Sequence, residues 1–214
     1  MFDENYWHKK WETADIGFHR PEANPLLVRH FGALAVPEGG RVFLPLCGKT
    51  RDIAWLLAGG FRVAGAELSR LAVEQLFAEL GLRPKITRHG RLDRFRAERL
   101  DVFAGDVFGL DRRRLGPVDT VYDRAALVAL TETLRPRYAA HLTRITNAAP
   151  QLVICYQYDQ NSMDGPPFSI DDAEIERHYG RTYRLTPLEV AEIDGGLKTV
   201  REAREKVWLL SREF

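Results

Sequence analysis

Cysteine is scarce in this 214-residue sequence, with Cys47 and Cys155 the only two. A pair cannot build a disulfide framework or a four-cysteine zinc site, and both lie in apolar runs where a buried free thiol is commonplace. A reducing, cytoplasmic location is the expectation that follows. No run of 18 apolar residues occurs, and the first twenty residues lack the apolar stretch of a signal peptide, so neither a membrane span nor export is expected. An excess of one charge is also missing: 31 Lys and Arg stand against 30 Asp and Glu, a formal net charge of +1. Without a strong overall field, bulk affinity for nucleic acid is not expected. Six histidines are scattered with no ligand spacing, and no metal is expected either.

No internal repeat, low-complexity tract or long linker interrupts the chain. One domain spanning 1–214 is expected, burying roughly 70–75% of the surface of the unfolded chain. Near the amino terminus Trp7 and Trp11 stand four apart, which puts both indoles on one face of a helix. Residues 1–20 therefore read as a helix folded onto its own protein. From position 41 strand-like and helix-like runs alternate. Strands are expected at 41–46, 61–66, 100–104, 118–122 and 151–158. Helices are expected through Ile53–Leu57, from Leu71 to Leu80 with Ser69 as cap, and near Tyr138–Ile145. A further helix at Asp171–Tyr179 and short strands around Tyr183 and Lys206–Ser211 close the chain. The alternation predicts an α/β fold with a parallel sheet, helices on both faces and a late antiparallel edge.

In open α/β sheets ligands bind outside the carboxyl ends of the strands. The residues there are Leu46-Cys47-Gly48, Glu67, Asp106, Asp123-Arg124 and Tyr158-Asp159. Glu67 lies nineteen residues after Gly48, close to the ~20-residue offset at which a carboxylate accepts from a ribose diol. An adenosine-type cofactor is implied. The first turn, Pro45-Leu46-Cys47-Gly48-Lys49-Thr50, has one glycine and so no backbone cradle for a pyrophosphate, and Phe43 stands where a phosphate loop needs glycine. An adenosine cofactor without phosphate, S-adenosylmethionine, fits better than a nucleotide. Trp7 and Trp11 at helical spacing read first as core residues; Glu67 and Arg124 would fit an ion pair or isolated surface charges, but their strand-end positions favour function.

The motifs carry a family resemblance. Trp7, Trp11 and Gly17-Phe18-His19, then Val42 to Lys49 with its Pro-Leu-Cys-Gly-Lys, Gly65-Ala66-Glu67-Leu68-Ser69, Tyr122 to Leu127, and Gly165-Pro166-Pro167-Phe168 resemble thiopurine S-methyltransferase in the same order. The resemblance implies a Rossmann-like class I methyltransferase with a seven-stranded, mostly parallel sheet. It implies that Trp11, Leu46, Glu67 and Arg124 contact S-adenosylmethionine, that Asp106 and Val107 lie beside its adenine, and that residues 1–20 form a lid. It also implies methyl transfer to the sulfur of thiopurines or other aromatic thiols, or to selenium or tellurium compounds. A monomer is the default expectation. Phe18 and Phe168 are expected at the substrate, and Arg124, always cationic, is expected to stabilise a thiolate. Two competing readings are an RNA or other small-molecule methyltransferase using the same cofactor, suggested by the basic segment 83–99 and Arg112-Arg113-Arg114, and a non-catalytic cofactor-binding module. Acidic residues interrupt the basic segment, which is expected as a solvated hairpin.

Overall fold

A computed structural model of the chain describes residues 4–17, 19–124 and 126–212. In chain order the strands are β1 (Arg41–Pro45), β2 (Arg62–Glu67), β3 (Lys85–His89), β4 (Leu92–Ala97), β5 (Leu100–Ala104), β6 (Thr120–Arg124), β7 (Gln151–Gln157), β8 (Tyr183–Glu192) and β9 (Arg204–Arg212). The helices are α1 (Glu4–Glu12), α2 (Pro25–His30), α3 (Arg51–Ala58), α4 (Arg70–Glu79), α5 (Arg112–Leu115), α6 (Arg135–Ile145) and α7 (Asp172–Tyr179). One sheet runs through all strands in the order β3-β4-β5-β2-β1-β6-β7-β9-β8. Its centre, β5-β2-β1-β6-β7, is parallel, and an antiparallel pair flanks it on each side.

Nine strands stand where seven were expected. The additional two are the basic segment 83–99, which joins the sheet edge as β3 and β4. Two apolar residues explain it. Leu92 and Phe95 are both 1% exposed and, at odd spacing on a strand, anchor opposite faces. Phe95 meets Phe77 of α4 at 5.9 Å between ring centroids. Three of its arginines are answered by two acids: Asp93 takes Arg88 together with Arg70 of α4, and Asp101 takes Arg94 and Arg96 together with Arg41 of β1.

Alternation on the strands builds a core on each face. On β1, Val42 and Leu44 join the apolar layer under α2, α3 and α4, while Phe43 joins the layer that includes Tyr138 and Leu142 of α6 and Ile175 and Tyr179 of α7. The helix starts follow their caps: Thr50 accepts from Asp52 N–H, Ser69 from Ala72 N–H, and Asp171 from Glu174 N–H. On the second face Arg135 of α6 donates to both carboxylate oxygens of Glu174 on α7 at 2.9 Å, tying the two helices together.

Asp123, the next-to-last residue of β6, points into this second layer and is fully buried. Tyr138 donates to its Oδ2 at 2.8 Å. Burial pushes the carboxyl up to about 6, against the hydrogen bonds of Tyr138 and the Ala126 N–H that favour the anion. Because the folded value is above that of an unfolded aspartate, stability is unaffected below about pH 4, falls as pH rises toward 6, and stays lowered above it. Asp123→Asn, which keeps an acceptor for Tyr138, is expected to be more stable than wild type at pH 7.5 by about 1–3 kcal/mol. Urea unfolding at pH 7.5 and pH 4 checks this, since the advantage must vanish at the lower pH.

Candidate functional site

The parallel strands end at a cleft of about 430 Å³. Its floor is the loop after β1. Leu46 and Gly48 both take left-handed backbone, with φ of +49° and +52°, a conformation a non-glycine residue adopts at a cost and holds only where its surroundings enforce it. Here the enforcement is specific. The Cys47 N–H donates to Ala66 O at 3.0 Å, and the Gly48 N–H donates to Glu67 Oε2 at 2.8 Å. The Ser69 N–H donates to the other oxygen, Oε1, also at 2.8 Å. The Glu67 carboxyl is raised by burial, while the N–H groups of Ser69, Gly48 and Leu68 favour its anion. Each oxygen keeps lone-pair capacity for a further donor, so the carboxylate suits a pair of vicinal hydroxyls.

Leu46, Glu67 and Leu68 also line a narrow hollow that adjoins the cleft, completed by Asp106, Val107, Phe108 and Leu130. Asp106 spends its Oδ1 on the Phe108 N–H at 2.9 Å, which fixes the turn. The Val107 carbonyl lies 2.9 Å from His141 Nε2. Phe108 packs between the Arg137 guanidinium, 3.9 Å from its ring centre, and the His141 ring. The result is a slot with apolar walls beside the Glu67 carboxylate, suited to a flat heterocycle.

The opposite wall is polar. Arg124, at the end of β6, donates from Nη2 to Tyr156 Oη at 3.1 Å and lies 3.6 Å from Glu205 Oε1. Burial works against its charge, but Tyr156, Tyr122, Glu205 and Asp52 outweigh it and hold the guanidinium cationic. Tyr122 donates to Asp52 Oδ2 at 3.0 Å, and the Asn24 N–H donates to Oδ1 at 2.7 Å. Asn24 is 2% exposed, its Oδ1 caps α2 through the Leu26 N–H, and its Nδ2 has no hydrogen-bond partner among the described residues although the residue lines the cleft. A buried donor of this kind can serve an acceptor atom of a ligand or an ordered water. Burial, with the nearby Lys49 and Arg51, lowers the pKa of His19 at the same mouth.

Three segments close the top: α1, the loop holding Pro166 and Pro167, and the β8–β9 connection. Lys198 Nζ of that connection donates to Pro166 O at 2.6 Å, and Lys10 pairs with Asp15. Trp11 is 4% exposed and packs on Gly48: a Cβ added there would stand 3.0 Å from Trp11 Cζ2. The single glycine of the loop thus supplies both the left-handed turn and the room for an indole.

Trp11, Leu46, Glu67 and Arg124 line one cleft, and Asp106 and Val107 line the hollow that adjoins it. Phe168 does not face the cleft. Its ring packs against Gly165 and under the Arg135 guanidinium, 5.2 Å away, so Pro166 and Pro167 are the loop residues presented to the cavity. Phe18 lies outside the described residues. Of the other strand-end acids, Asp123 faces the far layer and Asp159 caps the turn Gln160–Ser162. Sequence reasoning passed over Asn24, Asp52, Tyr156, Arg20 and Glu205. The Asn-Pro pair at 24–25 is a readable helix start, but nothing local to it indicates a cavity. Glu205 lies in the first residues of an antiparallel strand, whereas the sequence points to the carboxyl ends of parallel strands.

Among the described residues no cluster of metal-ligating side chains is found, and no helix is long and apolar enough to cross a membrane. A family model described as thiopurine S-methyltransferase matches residues 2–213. Proteins named thiopurine S-methyltransferase from Xanthobacter autotrophicus and Gluconobacter oxydans are 56% and 48% identical to the chain. The first match covers 98% of this chain and 99% of the relative, the second 96% and 94%. Among solved structures, a Burkholderia thailandensis 1,6-didemethyltoxoflavin-N1-methyltransferase with bound S-adenosylhomocysteine superposes with a TM-score of 0.66 at 15% identity, over 97% of this chain and 87% of the other. A methyltransferase dependent on S-adenosylmethionine from Anabaena variabilis gives 0.64 at 15%, over 98% and 95%.

Gly48→Ala is expected to lose about 1–2 kcal/mol of stability from the left-handed strain alone. It is also expected to shift tryptophan emission as Trp11 is displaced. Chemical unfolding and fluorescence of the variant check both.

Proposed function

This chain belongs to the thiopurine S-methyltransferase family of S-adenosylmethionine-dependent enzymes, and from that premise we propose that it methylates the sulfur of aromatic or heterocyclic thiols, thiopurines among them. Soft selenium or tellurium nucleophiles fall within the same chemistry. The observation that carries the reading is the division of one cleft into a hydroxyl-accepting carboxylate on one wall, Glu67, and a buried guanidinium on the other, Arg124.

S-adenosylmethionine, when bound, supplies an activated methyl group on a sulfonium. The protein's task is therefore to bind, orient and exclude water. Glu67 accepts the ribose hydroxyls, with its orientation preset by the Gly48 and Ser69 N–H groups. Val107, Phe108 and Leu130 form the adenine slot, and Asp106 holds the turn that shapes it. Leu46, Trp11 and Asn24 line the space for the methionine portion, and the Asn24 amide offers a donor to its carboxylate. Arg124 and Tyr156 face the acceptor, where a fixed cation favours the thiolate, the better nucleophile. Helix α1 acts as a lid, with Trp11 seated on Gly48.

A small acceptor suits a cavity of this volume whose top is closed by three segments. The arginines of β3 and β4 serve Asp93 and Asp101 and are not among the cleft residues, so they support no nucleic-acid substrate. The working form is a single-domain monomer in the cytoplasm that needs no metal.

Transfer of labelled methyl to a panel of thiopurine, aromatic thiol, selenite and tellurite acceptors tests the reading. Turnover of the thiols supports it, and transfer confined to amines, hydroxyls or RNA contradicts it. Glu67→Ala is expected to weaken S-adenosylmethionine binding at least about tenfold, since a buried charged acceptor is lost, and calorimetry measures this. Arg124→Ala is expected to lose thiol turnover. Unchanged cofactor affinity together with unchanged turnover in that variant would remove Arg124 from the mechanism.

A further inference from the structure

Glu205 is a buried charge to which the reading above assigns no task. It is 5% exposed and is the second residue of β9, where it pairs across to Tyr156, the next-to-last residue of β7. Because β9 is antiparallel to β7, its first residues arrive at the rim where β1, β2, β6 and β7 finish. The carboxylate does not line the cleft, yet it touches two groups that do. Oε2 accepts from Arg20 Nη2 at 3.2 Å, and Oε1 lies 3.6 Å from Arg124 Nη2. Asp52, the other carboxylate beside Arg124, is already engaged by Tyr122 and the Asn24 N–H.

A carboxylate this buried is tolerated only when cations answer it. Here two guanidiniums share one carboxylate. Side by side the two cations would repel; with Glu205 between them both can face the same cavity. Both guanidiniums line the cleft, so an anionic acceptor there would meet two charged donors. We propose that Glu205 is a positioning residue that clamps Arg20 to Arg124, and that Arg20 is the second cation of the acceptor subsite, selecting acceptors that are anionic when bound. The inference rests on the methyl-transfer reading and deepens it.

The test uses Glu205→Gln, Arg20→Gln and the double variant in the full chain. For each, calorimetry gives S-adenosylmethionine affinity, and steady-state kinetics gives kcat and KM for an aromatic thiol. For wild type and Arg20→Gln, the visible absorbance of the thiolate reports the apparent pKa of 4-nitrothiophenol bound with S-adenosylhomocysteine. The expected result is a KM for the thiol raised about tenfold in each single variant, the size of one charged hydrogen bond, with cofactor affinity unchanged. In the double variant the loss should be no greater than in the worse single, because both changes break the same clamp. In Arg20→Gln the bound thiol should ionise about one unit higher, as expected when one nearby cation is removed.

Equal losses of cofactor and acceptor binding in Glu205→Gln would mark a merely structural role and overturn the clamp. Losses that multiply in the double variant, or a bound thiol whose ionisation ignores Arg20, would also overturn it. Should Glu205→Gln fail to fold, Arg20→Gln decides alone, since that side chain is 39% exposed and leaves no buried gap. Wild-type turnover with unaffected variants overturns only the clamp, whereas a wild type that transfers no methyl to aromatic thiols overturns the broader reading and the clamp with it.

Discussion

The cleft depends on one contact, the Glu67 carboxylate accepting the Gly48 N–H. It ties the end of β2 to the loop after β1 and holds that loop in a left-handed path at Leu46 and Gly48. The turned-back loop gives Trp11 a surface to pack on, starts α3 at its Thr50 cap, and places Leu46 between cleft and hollow. A nucleotide loop achieves a similar reversal with several glycines and faces its N–H groups toward phosphate. Here the Gly48 N–H is turned instead to a carboxylate. A site built in this way prefers hydroxyl donors to phosphate.

The near balance of charge in the sequence hides a strongly arranged distribution. The basic face of β3 and β4 is answered by Asp93 and Asp101, and α6 is locked to α7 through Arg135 and Glu174. At the rim, Glu67 stands at the end of β2, while Arg124, Arg20 and Glu205 form a separate charged group at the ends of β6 and β9; in the proposed function the first is the cofactor side and the second the acceptor side. Segregation matters more than the sum. A cationic sulfonium and an anionic sulfur need opposite environments within one cavity, and a low local dielectric strengthens both.

Much of the fold was legible because the parallel strands read as β-branched and apolar runs bounded by caps and glycines. Leu100–Ala104 forms β5 at the expected residues, and Ser69 caps α4. The edge was harder. Segment 83–99 looks solvated by its arginines, and the two residues that fix it to the sheet, Leu92 and Phe95, are a small fraction of it. Within the site, Glu67 and Arg124 were readable because each ends a parallel strand. Glu205 was not, because its position depends on the antiparallel direction of β9, and Asn24 and Asp52 reach the cleft through tertiary packing alone. Phe168 shows the converse: a motif neighbour is not a cavity neighbour, since the side chain after Pro167 turns away to Arg135.

The most direct measurement is a crystal structure of the protein with S-adenosylhomocysteine and an aromatic thiol. The ribose hydroxyls are predicted within hydrogen-bond distance of the Glu67 carboxylate, the adenine beside Val107 and Phe108, and the acceptor sulfur facing Arg124. A ribose held by other residues, or a sulfur bound away from Arg124, would contradict the account.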